Sequence, residues 1–227
     1  MPPSAANLAA AVRNPHLFWR RFSHIKLRRY QQEVASAILD SVRYGLGMTF
    51  CVVFPRQSGK NETQAQIEAY LLANLSKYDV EIVKVQPTWK PQAQRAMQRL
   101  EKVLSSNLIT NDLWRKESGY IYRVRKARIY FFSAAASSHI VGATASALLE
   151  ADEAQDINIT KWDKEIAPMA ASTNATRVLW GTAWTNKTLL AREVAACLEL
   201  EKKDGFKRVF RVTADEVCQE VNAYRLF

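Results

Sequence analysis

The stretch Val52-Val53-Phe54-Pro55-Arg56-Gln57-Ser58-Gly59-Lys60-Asn61-Glu62 constrains this chain more than any other. An apolar run breaks into a short polar loop that ends in Gly-Lys and continues into helix-forming sequence. A loop that leaves a strand and opens a helix turns backbone N–H groups toward an anion, and the lysine adds a charge for phosphate oxygens. The usual pattern is G-x-x-x-x-G-K-[ST]; here Phe54 stands at the first glycine and Asn61 replaces the hydroxyl residue. Arg56, Gln57, Ser58, Gly59, Lys60 and Asn61 are therefore candidate nucleotide contacts. A basic turn between a buried strand and a surface helix is the alternative that the flanking sequence has to decide.

Residues 1–26 read as an N-terminal arm whose cluster Phe18-Trp19-Arg20-Arg21-Phe22 either docks on a partner or covers the core. Leu27-Arg28-Arg29-Tyr30-Gln31-Gln32 follows, and Val34, Ala35, Ile38, Leu39 and Val42 then mark an amphipathic helix ending near Gly45 and Gly47. The Tyr30 ring can stack on a base, and the Gln31 amide can both donate to and accept from an adenine edge, so this pair is a candidate adenine reader. Residues 47–54 read as a buried strand and 61–75 as the helix after the loop, with Ile67, Tyr70, Leu71 and Leu75 on its apolar side. A second strand at 81–85 is closed by Gln86-Pro87-Thr88 and followed by a helix over 90–104 carrying Met97, Leu100 and Leu104 on one side. This alternation predicts a parallel sheet. Residues 119–132 read as a β-hairpin with a basic face made by Arg123, Arg125 and Arg128, for which a solvated strand face is the simpler account.

Ala147-Leu148-Leu149-Glu150-Ala151-Asp152-Glu153 is the second chemical landmark. An apolar strand delivering Asp then Glu at its carboxyl end matches a Walker B arrangement, with Asp152 serving magnesium and Glu153 orienting or activating water. Glu150, inside the strand, suggests that one side of it meets solvent or a partner. A further strand at 176–180 ends in Gly181-Thr182-Ala183, and a helix over 186–202 and a last strand at 208–212 follow. A polar tip at the carboxyl end of such a strand faces the ligand in an open α/β sheet, which makes Thr182 a candidate γ-phosphate sensor. The fold class expected is α/β: a P-loop NTPase of the RecA/ASCE-like kind, with a mainly parallel central sheet flanked by helices.

Composition narrows the class further. At 227 residues and 48% hydrophobic the chain can bury one sizeable core, and its net charge of +10 favours a polyanionic partner such as DNA or RNA. Cys51, Cys197 and Cys218 are few and scattered, with no metal-ligand spacing, which fits a reducing cytoplasm. No apolar run approaches the roughly 18 residues of a membrane span, so no membrane partner is expected.

Tyr30-Gln31, Arg56-Gln57-Ser58-Gly59-Lys60, Gln86-Pro87-Thr88, Ala151-Asp152-Glu153-Ala154-Gln155 and Gly181-Thr182-Ala183 stand in one order. Together they resemble the ATPase domain of a tailed-phage terminase large subunit, over roughly residues 27–215. The resemblance implies an ATPase using ATP and Mg2+, with Glu153, Lys60 and Arg56 catalytic and Gly181 and Thr182 in a coupling motif. It also implies a homo-oligomeric ring that translocates double-stranded DNA through a portal protein, with a small terminase subunit as a further partner, in the cytoplasm of a bacterial host. Terminases often place an arginine finger shortly before Walker B, yet the segment 138–144 contains no arginine. Arg56 is then the expected arginine in cis, and Arg123, Arg125 and Arg128 are candidates across a subunit boundary. Asn61 offers magnesium only an amide oxygen beside Asp152. Residues 216–227 read as the start of a further segment, too short for a terminase-type nuclease domain, so DNA cleavage is not expected of this chain. A DExx-type helicase fragment shares several of these motifs, and a catalytically inactive nucleic-acid-binding remnant is the third reading.

Overall fold

Alternating apolar side chains in the strands point to opposite faces of one sheet, and helices cover both. The computed structural model describes residues 10–226 apart from 12, 137, 139, 141, 183 and 184. Its strands are β1 (Thr49–Val53), β2 (Glu81–Gln86), β3 (Trp114–Glu117), β4 (Ile121–Val124), β5 (Ala127–Ser133), β6 (Leu148–Ala151), β7 (Thr176–Gly181) and β8 (Val209–Arg211). They pair in the order β3-β4-β5-β2-β6-β7-β1-β8. From β5 to β8 every neighbour is parallel, and β3 and β4 extend the sheet antiparallel at one edge.

The helices are α1 (Pro15–Arg21), α2 (Arg29–Arg43), α3 (Lys60–Asn74), α4 (Gln94–Ser106), α5 (Leu189–Asp204) and α6 (Ala214–Glu220), with short helical turns over residues 154–170. Phe50, Val52, Ile82, Leu148, Val178 and Trp180 pack toward α2, α3 and α4. Their strand neighbours Cys51, Val83, Leu149 and Leu179 pack on the opposite face, toward α5 and the turns. Strands covered on both faces tend to be apolar, which is why β1, β6 and β7 stand out in the sequence, although Lys84 and Gln86 in β2 and Glu150 in β6 are buried polar residues.

Several expectations shift. Glu150 does not meet solvent or a partner: it is fully buried, and its Oε1 accepts a hydrogen bond from Trp180 Nε1 at 2.9 Å. The helix expected over 61–75 is no surface helix, since eleven of its residues between Lys60 and Leu72 are buried. The helix expected from residue 90 begins at Gln94, after a wide turn through the cis Lys90–Pro91 bond. That expected from 186 begins at Leu189, where Thr188 accepts a hydrogen bond from Ala191 N, and ends at Gly205 in the left-handed region. β3 was not expected, because Trp114-Arg115-Lys116-Glu117 has no apolar alternation to announce it. The aromatics of the arm cover the core: Phe18, Trp19 and Phe22 are buried, and Trp19 Nε1 donates to the Gln66 carbonyl of α3 at 3.2 Å. Cys51 and Cys197, far apart in sequence, lie with their sulfurs 3.8 Å apart in the core. Among the described residues, no helix is long and apolar enough to cross a membrane.

Candidate nucleotide site

The loop between β1 and α3 is held in a shape that costs free energy. Gln57 has φ +60 and Gly59 has φ +92, and left-handed backbone at a non-glycine residue persists only where its surroundings enforce it. The enforcing contacts are specific. Ser58 Oγ donates to Pro55 O at 2.7 Å, Thr63 Oγ1 donates to Gly59 O at 3.0 Å, and Phe54 is fully buried with its ring edge-on to Tyr30 and Trp180. Phe54, which breaks the glycine pattern, thus anchors the loop from below. No side chain caps α3, so its first-turn N–H groups remain for an anion.

Tyr30 and Gln31, expected to face adenine, are placed against the loop. Tyr30 is buried and its hydroxyl donates to Ser58 O at 2.6 Å; Arg28 Nη1 donates to the same carbonyl at 2.9 Å. Gln31 Nε2 donates to Gly59 O at 3.1 Å while its Oε1 accepts from Arg28 N at 2.9 Å. Gly59 is favoured by its φ, and a Cβ there would lie 2.5 Å from Gln31 Nε2 and displace the amide that holds the Gly59 carbonyl.

The carboxylates arrive from β6. Glu153 is also left-handed, at φ +47, two residues past the end of β6, and this turn brings its side chain toward the loop. Lys60 Nζ donates to Glu153 Oε1 at 2.5 Å and stands 3.3 Å from Asp152 Oδ1. Burial alone would push the Asp152 carboxyl up; the Lys60 and Lys84 ammonium groups, with hydrogen bonds from Gln64 and Lys60, outweigh it and hold it below the usual carboxylate range. Asp152 therefore stays an anion at the floor of the site.

β7 lies between β1 and β6, and its tip joins them. Phe54 N donates to Gly181 O at 3.0 Å, and Thr182 N donates to Gln155 Oε1 at 3.2 Å. Gln155 Nε2 in turn donates to Glu153 Oε2 at 2.7 Å, so one amide links the β7 tip to the carboxylate that Lys60 holds from the other side. A Cβ on Gly181 would lie 2.3 Å from Gln155 Oε1. Ala183, the end of the Gly-Thr-Ala segment, lies outside the described residues. A cavity of about 400 Å³ lined by Arg56, Gln57, Gly59, Lys60, Asn61, Arg99, Glu153 and Thr182 opens over these groups. Larger grooves of about 560 and 630 Å³ lie elsewhere, and one of about 690 Å³ adjoins this cavity through Asn61, Glu62 and Arg99, but the strained backbone and the charges converge on this one.

No family model matches the sequence, and no curated protein matches it. Solved structures do. The large terminase of bacteriophage HK97 superposes with a TM-score of 0.72 at 16% identity, covering 89% of this chain and 43% of that one. The ATPase domain of the Thermus phage P74-26 large terminase gives 0.67 at 14% identity, covering 100% and 92%. The large terminase of another thermophilic bacteriophage, in complex with ADP, gives 0.61 at 12% identity, covering 88% and 49%. The chain has the fold of a phage large terminase ATPase domain. It spans less than half the length of the HK97 protein and of the ADP-bound one.

Within this terminase fold the arginines are divided. Arg56 is exposed on the cavity rim. Arg99, which the sequence did not single out, projects from α4 into the same cavity, where its Nη1 donates to Glu62 Oε2 at 3.1 Å. The three hairpin arginines are not brought to the site. Arg123 pairs with Glu117 and Arg128 with Asp79 at 2.6 Å, and Arg128 sits opposite Glu81 at the start of β2, the far end of the parallel strands from the loop. Arg125 is exposed in the turn between β4 and β5.

The donor set fits a magnesium ion carried largely by its nucleotide. Among the described residues no three acidic, histidine or cysteine side chains gather to hold a metal unaided. Asp152 is one buried anionic oxygen donor, and Asn61 is an exposed amide on the cavity wall. One carboxylate completed by phosphate oxygens and water is how Mg2+ usually binds in nucleotide sites.

Proposed function

We propose that this chain is the ATP-hydrolysing motor domain of a DNA-packaging terminase large subunit. The observation that carries the reading is the convergence of Lys60, Asp152 and Glu153 at the end of the parallel strands where α3 begins, with Lys60 and Glu153 lining the cavity and Asp152 buried against Lys60. On this reading ATP lays its phosphates on the N–H groups of residues 57–61, and Lys60 exchanges Glu153 for β- and γ-phosphate oxygens. Glu153, released from Lys60 and still held by Gln155, accepts a proton from the attacking water. Mg2+, held by Asp152 with Asn61 nearby, supplies positive charge to the phosphate oxygens when bound. Arg56 is the proposed arginine in cis, and Arg123, Arg125 and Arg128 are the second candidates for that role, across a subunit boundary. Tyr30 and Gln31 support the loop beneath the adenine, and Gly181 and Thr182 pass the presence of the γ-phosphate to Gln155.

The partners that follow are double-stranded DNA, bound without sequence preference through its phosphates, a portal protein, a small terminase subunit, and further copies of this chain in a ring. The setting is the cytoplasm of an infected or lysogenic bacterium. The net charge of +10 supports phosphate contact as the main source of DNA affinity. The test is an ATPase assay with Mg2+ or with chelator, with and without duplex DNA, across a salt series. Magnesium-dependent hydrolysis and DNA binding that weakens steeply with salt are expected; a chain that binds no nucleotide overturns the reading, and salt-insensitive DNA binding overturns the phosphate-contact part of it.

A further inference from the structure

Below the cavity lies a set of polar side chains that the chemistry above does not use. Glu68 and Glu150 are fully buried, Lys84 is 2% exposed and Gln64 is 1% exposed. Placing charges in the interior is costly, and apolar side chains of the same size would serve packing better, so an arrangement of this kind calls for a role. The groups come from three elements: Gln64 and Glu68 stand one and two turns after Lys60 on the same face of α3, Lys84 lies within β2, and Glu150 lies two residues before Asp152.

The hydrogen bonds run in one direction. Lys84 Nζ donates to Glu68 Oε1 and, at 2.7 Å, to Gln64 Oε1. An ammonium group offers only donors, so the Gln64 atom that meets it must be the carbonyl oxygen. The other end of the amide is then obliged to be the donor, and Gln64 Nε2 donates to Asp152 Oδ1 at 2.9 Å. Glu153 N donates to that same oxygen at 3.0 Å. Among the described residues no hydrogen bond is made to Oδ2 of Asp152, so one oxygen is committed to the protein and the other is left for a ligand.

We propose that Gln64, with its amide direction set by Lys84, is a positioning residue that holds the Asp152 carboxylate for the divalent cation accompanying the nucleotide. The proposal rests on the reading of the cavity as a nucleotide site. It also gives a reason why the chain tolerates Asn61 where a hydroxyl residue usually serves the metal: Asp152 is anchored from beneath by a partner that cannot turn over. Residues that hydrogen-bond a ligating carboxylate typically contribute about 10–100-fold in metal affinity.

Gln64→Leu keeps the volume and removes both hydrogen bonds; Lys84→Met combined with Glu68→Gln frees the amide to rotate without leaving a buried charge unpaired. For each variant two quantities are measured: affinity for a fluorescent ADP analogue in chelator, and Mn2+ affinity of the ADP-bound protein by electron paramagnetic resonance. Nucleotide affinity in chelator should stay within about twofold of the unaltered chain, Mn2+ affinity should fall about 10–100-fold, and Gln64→Glu, which keeps the bond to Lys84 but sets a carboxylate against Asp152, should fall at least as far. A purely packing role would lower the melting temperature and leave Mn2+ affinity of the folded protein unchanged, and that result in Gln64→Leu overturns the proposal. If the unaltered chain binds no ADP at all, the nucleotide reading falls and this inference with it; if it binds ADP and Mn2+ and the variants do so equally well, only the inference falls.

Discussion

Lys60 Nζ and Glu153 Oε1 are 2.5 Å apart, so the lysine that should grip phosphate and the carboxylate that should activate water neutralise one another. A triphosphate entering the loop competes with Glu153 for Lys60. Lys60→Ala should therefore abolish nucleotide binding, whereas Glu153→Gln, which weakens the competitor, should bind ATP at least as tightly as the unaltered chain while hydrolysis falls about 10²–10⁴-fold. Equilibrium binding and single-turnover hydrolysis on the two variants check the division. Equal loss of binding in both would reverse the assignment of roles.

Gln155 joins Glu153 to Thr182 through the two ends of one amide. Gln155→Ala leaves the loop and Lys60 untouched but lets the Glu153 carboxylate swing. The expected outcome is a kcat lowered about 10-fold, the value of one orienting hydrogen bond, with KM for ATP little changed. Steady-state kinetics measure the split, and a raised KM at constant kcat would place Gln155 in binding instead.

Gly59 is confined by φ +92 and by the Gln31 amide. Gly59→Ala should cost about 1–3 kcal/mol of stability from the backbone strain and open the loop to a degree that removes nucleotide binding. Adding Gln31→Ala relieves the contact but not the φ, so thermal denaturation of the double variant should show partial recovery only. Full recovery would mean the backbone strain is negligible.

Arg56 and Arg99 line the same cavity as Lys60. If these arginines serve their own pocket, mixing Arg56→Ala or Arg99→Ala protein with Glu153→Gln protein should restore no ATPase activity at any ratio. An arginine serving a neighbouring subunit would instead give recovery, because its own pocket is intact. Recovery with Arg123→Ala or Arg128→Ala would identify the hairpin as the trans element.

Burial pushes the Glu150 carboxyl well above its ordinary value, against the pull of Lys84, with Glu68 adding to the rise. The folded chain thus keeps a proton that the unfolded chain releases above roughly pH 4.3, and stability from this group falls as pH rises beyond that point. Glu150→Gln, an amide in place of a neutral acid, should fold and should lose this part of the pH dependence. Melting temperatures from about pH 4.5 to 8 test it: a Glu150→Gln curve parallel to that of the unaltered chain would show that the proton is not held.

Motifs could be read in the sequence where they end apolar strands. The runs before Phe54, Asp152 and Thr182 are covered on both faces by helices, so they are apolar nearly throughout, and their polar tips mark the site. Side-chain direction could not be read in the same way. Tyr30 and Gln31 have the chemistry to meet adenine, but only packing against Phe54 and the Ser58 and Gly59 carbonyls shows that they brace the loop. Gln64, Glu68 and Lys84 look like solvated positions, because a polar residue within a helix or strand ordinarily is one. Glu150 invited the same reading for the same reason. Arg99 was hidden on the polar side of an amphipathic helix, where one arginine among several carries no signal until α4 is docked beside α3.

The order of the strands also sets a timetable. β1 carries the loop, yet its two neighbours are β7 and β8, which lie more than 120 residues later in the chain. While the chain emerges from the ribosome, residues 49–53 have no strand to pair with until 176–181 and then 209–211 have been made. Such distant parallel pairings are slow to close. Nucleotide binding should thus be among the last properties acquired during synthesis or refolding, appearing with the final strand rather than with the helix that bears Lys60.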